Sequence, residues 1–264
     1  MFGKLLKYEF RSIGKWYFAL NAGVIAIAII FSFTIHTLTS NPDEVGLTTS
    51  LANKMVPLTL SLTFGSLIAG SFLSTLLIII NRFNKNVFGR EGYLTLTLPV
   101  TAHQIILSKL LASFVCSIFN GINLLIGIFI LIAPTVDFTY LLKVLKTIIK
   151  PENLVENTSI LIYMLLSTIT SILLIYLAVS IGQLFSNRRG LMAFCAYFIL
   201  VIIIIVVMTY LNDAFFTVNP NSSDSLLYFG DHTAISILNI EQLVEGIILY
   251  VATHFIIKNK LNIQ

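Results

Sequence analysis

Residues 191–211 read LMAFCAYFILVIIIIVVMTYL. No charge interrupts the run, and it is as long as the ~20 residues that cross a hydrocarbon core of ~30 Å. It reads as a membrane span. Comparable runs recur at about 16–38, 55–81, 107–133, 158–182 and 241–257. Composition agrees: of 264 residues, 57% are hydrophobic and 11% charged, against about 25% charged in soluble domains. The expected fold class is all-α, a polytopic membrane protein with six transmembrane helices in a single domain, 1–264. The first run exceeds the ~7–15 residues of a signal-peptide core and no A-x-A-like site follows it, so it reads as the first span.

Orientation follows from the basic residues of the connections. With the N-terminus in the cytoplasm, the inner segments hold Lys4, Lys7, Arg11, Lys15, Arg82, Lys85, Arg90, Lys109, Arg188, Arg189, Lys258 and Lys260, twelve of the sixteen basic residues. The outer segments hold Lys54, Lys143, Lys146 and Lys150. Both termini are therefore expected in the cytoplasm. The net charge of +4 is spread along the ends of apolar runs rather than gathered on one face, so no nucleic-acid partner is expected.

Two flanking segments have helical periodicity. In FGKLLKYEFRSIGKW, Phe2, Leu5, Leu6, Phe10, Ile13 and Tyr17 share one face and the basic residues point elsewhere. Residues 1–15 are thus expected to form an amphipathic helix against inner-leaflet lipid, where each basic side chain gains about 1 kcal/mol near anionic headgroups. Residues 137–150 set Leu141, Leu142, Leu145, Ile148 and Ile149 against Lys143, Lys146 and Lys150, with Asp137 as N-cap and Pro151 as a stop. They read as an amphipathic helix at the outer surface. It either anchors a loop or helps to receive or release a substrate.

Inside the expected spans no Asp, Glu, Lys or Arg lies near mid-depth, and Glu241 and Glu245 fall in the first turns of the last one. That argues against an ion-coupled carrier, as does the lack of an internal repeat. Polar residues do occur. On the third span Cys116, Asn120 and Asn123 share a face with Ser113 and Ser117 beside them. They either bond neighbouring helices or line a substrate path. On the second span Ser66, Gly70 and Ser74 form a small-xxx-small ridge, repeated by Ser71 and Thr75, of the kind that lets helices approach closely.

Catalytic patterns are not found. GSLIAGS at 65–71 lacks the lysine of a phosphate-binding loop and falls within a span. His36, His103, His232 and His254 are far apart in sequence and in expected depth, so no metal site is expected. There is no G-x-S-x-G elbow. The two cysteines, Cys116 and Cys195, fall in apolar runs and read as small packed side chains without a disulfide.

The inner connection 82–106 is the most distinctive polar segment. It contains GREGYLTLTLP at 89–99, then Thr101-Ala-His-Gln104, a capping box that starts a helix into the third span. Leu94, Leu96 and Leu98 alternate with Thr95 and Thr97 as in a strand. A lone strand there has nothing to pair with, so a short helix presenting Tyr93 and the leucines is expected instead.

On these residues the chain resembles a permease subunit of the ABC-2 family, the membrane half of ATP-binding-cassette exporters of the type V kind. That family has six spans after an amphipathic connecting helix. Its first inner loop carries an E-x-x-G-T or E-G-T motif, then leucines, a proline and a lysine before the third span. Here these are Glu91-Gly92-Tyr93-Leu94, Leu96, Leu98, Pro99 and Lys109, with Tyr93 in place of the commoner Thr.

The resemblance implies that the loop is a coupling helix docked on a separate ATPase subunit. Tyr93 and the leucines would be buried anchors, Arg90 and Glu91 rim contacts, and Pro99 would set the exit angle. It implies that ATP and magnesium are bound by that partner, with no cofactor, metal or catalytic residue in this chain. It further implies a second permease copy or a homologous permease, a bacterial plasma-membrane location and export of an amphipathic cargo such as a peptide, drug or lipid-like molecule. Related permeases carry a re-entrant hairpin before the last span, and 212–240 is expected to be either that or a plain outer loop. The alternative function is a membrane anchor or sensor subunit that moves nothing.

Overall fold

The computed structural model describes residues 2–11, 15–40, 47–84, 88, 101–133, 139–140, 143, 146, 150–185, 188–215 and 232–259. Among them are seven long helices and no strand. These are α1 (Phe2–Arg11), α2 (Lys15–Ser40), α3 (Leu47–Phe83), α4 (Ala102–Ile132), α5 (Pro151–Gly182), α6 (Arg189–Phe215) and α7 (His232–Asn259). Six are long and apolar enough to cross a membrane, over Tyr17–His36, Pro57–Phe83, His103–Ile132, Leu154–Gly182, Arg189–Leu211 and Ile235–Lys258. The chain is a multi-pass membrane protein.

Helix is the outcome the solvent dictates. Residues 201–207, VIIIIVV, are β-branched throughout and would favour a strand in water. In lipid only a closed set of backbone hydrogen bonds is tolerated, and a single segment achieves that as a helix. Several of the spans' hydroxyls obey the same constraint by bonding back to their own helix. Thr34, Ser180, Thr209 and Thr253 each donate to the carbonyl four residues earlier, at 2.7–2.9 Å.

The last span begins earlier than the sequence suggests. Residues 232–240, HTAISILNI, are apolar enough to extend α7 back from Glu241. Glu241 and Glu245 therefore lie well inside the helix, not in its first turns. Of the expected outer segment 212–240, residues 212–215 continue α6 and 232–240 open α7, and the rest lies outside the described residues. Most of 137–150 lies outside them too, although Lys143, Lys146 and Lys150 are exposed. In α1, Tyr8 and Phe10 are exposed and Leu5 and Leu6 half-buried.

The chain divides into two compact units. One comprises Leu6–Ile79 and Ala112–Lys150. Its apolar core is Val24, Ala28, Phe64 and Leu124, from α2, α3 and α4, with Leu20, Ile27, Phe31 and Leu67 packed around it. The other comprises Met1–Leu5, Ile80–Leu111 and Pro151–Gln264. There α5 is the central helix, and α6 and α7 each pack along it. Within it Phe83 stacks nearly parallel on Tyr176, with centroids 3.9 Å apart and both rings buried.

The α5–α6 corner is equally constrained. A Cβ on Gly182 would lie 2.7 Å from both the backbone N and the Cα of Ala193, so only glycine fits. Arg188, just before α6, takes up the reversal in a left-handed conformation with φ 51°, uncommon for a residue with a side chain.

Candidate functional site

The loop residues singled out from the sequence, Arg90, Glu91, Gly92, Tyr93, Leu94, Leu96, Leu98 and Pro99, lie outside the described residues. The description resumes at Thr101. The backbone N–H of Gln104 reaches Thr101 Oγ at 3.4 Å and the Thr101 carbonyl at 2.9 Å, so Thr101 caps α4. From Ala102 the helix runs unbroken to Ile132, a rod of roughly 46 Å at about 1.5 Å per residue. Lys109 is buried in its second turn, at 3% exposure.

The polar face of α4 is packed among helices. Tyr17 Oη donates to the Cys116 carbonyl at 2.9 Å and accepts from Thr75 Oγ1 at 3.5 Å. Asn123 Nδ2 donates to both the backbone carbonyl and the side-chain oxygen of Asn21, at 3.0 and 3.1 Å. Asn21 in turn donates to the Tyr17 carbonyl at 3.0 Å. Ser71 Oγ donates to Asn120 Oδ1. Ser113, Cys116, Asn120 and Asn123 are buried, and Ser117 is half-buried. These bonds join α2, α3 and α4, and a cargo moving along this face would have to replace them. Tyr17 was read only as part of the apolar face of the N-terminal segment, and Asn21 was missed because depth counted from the expected span starts does not pair it with Asn123.

Of the two ridges on α3, the one that meets α4 and Tyr17 is the Ser71–Thr75 ridge. Ser71 and Thr75 are buried, and so is Ser74 at the inner end of the other ridge. Ser66 is exposed and bonds its own helix through the Thr63 carbonyl, and a Cβ on Gly70 would meet nothing within 4 Å. The cysteines also part company. Neither is in a disulfide, but Cys116 is buried and Cys195 is exposed, so only the first is a packed side chain.

The expectation that the four histidines lie apart needs correction. His103, at the start of α4, stacks on His254, near the end of α7, with centroids 3.8 Å apart and planes 11° from parallel. His103 Nδ1 is also 2.9 Å from Tyr250 Oη. Helix packing brings together residues 151 positions apart in the chain. Both histidines belong to expected inner ends, which was the available signal. Among the described residues no group of three or more His, Cys, Asp or Glu is placed to hold a metal ion.

The second polar constellation is on α7. Thr170 Oγ1 of α5 contacts Gln242 Oε1 at 2.8 Å, and Gln242 Nε2 is 3.4 Å from Glu245 Oε2. Asn239 Nδ2 donates to the Ser159 carbonyl at 3.1 Å. Asn239 Oδ1 and Glu241 Oε1 are buried with no hydrogen-bond partner among the described residues. On one side of this helix, between it and α6, lies an aliphatic cavity of about 650 Å³ whose walls include the stems of Glu241 and Glu245. On the other, between α4, α5 and α7, lies a smaller one of about 300 Å³, bordered by Thr170, Gln242 and Tyr250. Comparison with known proteins adds no assignment: no family model, curated protein or solved structure matches this chain.

Proposed function

We propose that this chain is the permease subunit of an ATP-driven exporter of the ABC-2 kind, coupled through its inner connection 82–106 to a separate ATPase subunit. The observation that carries the reading is the sequence Arg90-Glu91-Gly92-Tyr93-Leu94, with Leu96, Leu98 and Pro99, placed between the second and third of six spans. The positive-inside balance of the connections supports an inner location for that loop and for both termini.

The mechanics support it as well. A docking loop transmits motion only into a stiff element, and the capped, uninterrupted α4 begins three residues after Pro99. ATP held by the partner favours one arrangement of the ATPase pair. That arrangement shifts the permease only by its differential affinity for the two permease states. The partner carries out the hydrolysis, and this chain forms the path for an amphipathic cargo together with a second permease, identical or homologous. The N-terminal helix α1 lies along the inner leaflet, in a bacterial plasma membrane.

The test is association. Tagged protein drawn from its native membrane brings down an ATP-binding subunit, and Glu91→Ala or Tyr93→Ala abolishes that association or uncouples ATP turnover from transport. Loop variants that leave assembly and transport intact would overturn the coupling assignment. Tags that place residues 82–106 outside the cell, or full activity of the chain without an ATPase, would overturn the reading as a whole. An intact complex that moves nothing would favour the anchor or sensor alternative.

A further inference from the structure

We propose that the stack of His103 on His254 is an acid-released clasp, which holds the start of α4 to the end of α7 and lets go when both rings are charged. The clasp belongs to these two helices and stands whether or not the chain is a permease.

The two rings lie face to face, with centroids 3.8 Å apart and planes 11° from parallel. That contact suits two neutral rings, or one neutral and one charged, since either case leaves a π-face for the neighbour. Two imidazolium ions at the same spacing repel instead. Tyr250 does not impede the change. Its hydroxyl is 2.9 Å from His103 Nδ1 and can donate to a bare nitrogen or accept from a protonated one. His103 is exposed and His254 half-buried, so protons reach the pair.

Among the described residues nothing around the pair neutralises a second proton. The side-chain charges that act on His254 are those of His103 and of Lys258, one helical turn further along α7. His103 is in the first turn of α4, so the helix presents its positive end to the pair. The small cavity one turn deeper, between Leu107 and Tyr250, is lined from α5 by Leu166, Ile169, Thr170 and Leu173, none of them titratable. No acidic side chain borders it. The open form therefore binds one more proton than the closed form, and falling pH favours it. Release begins around the ordinary imidazole range, near pH ~6.5. It parts α4 from α7 at the edge of that cavity.

The experiment uses the full chain in lipid nanodiscs, with Cys116→Ala and Cys195→Ser, and nitroxides attached at Leu107→Cys and Phe255→Cys, both exposed positions. Dipolar spectroscopy reads the separation of α4 from α7. Between pH about 7.5 and about 5 the ratio of long-distance to short-distance population rises at least about tenfold, because the open form takes the extra proton. The change reverses on return to neutral pH. His103→Phe with His254→Phe keeps two flat, stacking rings without their charges, and the separation no longer follows pH. His254→Phe alone leaves one titratable ring and gives the same result, so it decides the matter should the double variant fail to fold. Both variants retain His36 and His232, whose protonation is thereby separated from that of the pair. A separation that stays the same from neutral to acid pH, or a pH response that survives either replacement, overturns the proposal. The assay contains no ATPase, so the clasp and the permease reading fail separately.

Discussion

Asn123 and Glu245 are both strongly polar residues set in apolar helices, and their surroundings are opposite. Asn123 gives its amide to two oxygens of Asn21, within a mesh that also holds Tyr17, Ser71, Thr75 and Asn120. Glu245 has one long contact, from Gln242 of its own helix, and one oxygen of Glu241 has no partner among the described residues. Polar groups of the first kind hold helices together. Those of the second kind make no bond to another helix among the described residues. Residue type does not separate the two classes; the presence of a bonded neighbour does.

Ranked stability measurements can break that contrast. Cys116 serves as a built-in reporter: it is buried, and in a Cys195→Ser background a thiol-reactive dye labels it only as the protein unfolds. The scale is set first by an apolar contact. Phe83→Ala removes the stack on Tyr176 and should cost about 3–5 kcal/mol, the largest fall in labelling midpoint of the series. Gly182→Val comes next. Its new Cβ meets the Ala193 backbone, an overpacking that costs about 1–3 kcal/mol and perturbs the α5–α6 corner.

Asn123→Leu keeps the branched shape but removes both bonds to Asn21, and interhelical hydrogen bonds in membranes contribute about 0.6 kcal/mol on average, up to about 1.7. The expected loss is about 1 kcal/mol, seen as a smaller but clear drop in midpoint. Glu245→Gln should show the smallest effect, within about 0.5 kcal/mol, because the native carboxylate has little to lose. If Glu245→Gln destabilised the protein as much as Asn123→Leu, the carboxylate would be structural glue, and the division between the two kinds of polar residue would fail.

The sequence disclosed some of these features and hid others for identifiable reasons. The six helices were legible because each apolar run is judged against lipid by itself. The start of α4 was legible because the Thr101 cap is local, acting over three residues. The start of α7 was misjudged because Asn239, Glu241 and Gln242 interrupt its apolar run, while the helix that carries them continues in both directions. The ridge on α3 was seen, but periodicity alone cannot say which of its two registers meets another helix. Structure buries Ser71 and Thr75 together with Ser74 of the other register, and leaves Ser66 outward. The His103–His254 stack was not read because it joins two helices far apart in the chain, and a shared inner end does not say that two helices are neighbours.

By itself, then, the amino-acid order determined that this chain crosses a membrane six times as helices, with its basic residues gathered toward one side. Those outcomes are sums of local transfer energies, and each segment meets them before it touches any other. Only the tertiary structure decided which polar side chains are bonded across helices and which are not. Helix association in lipid has no hydrophobic driving force. It depends on close packing and on hydrogen bonds between particular atoms of separate helices, and no one-dimensional pattern records those meetings.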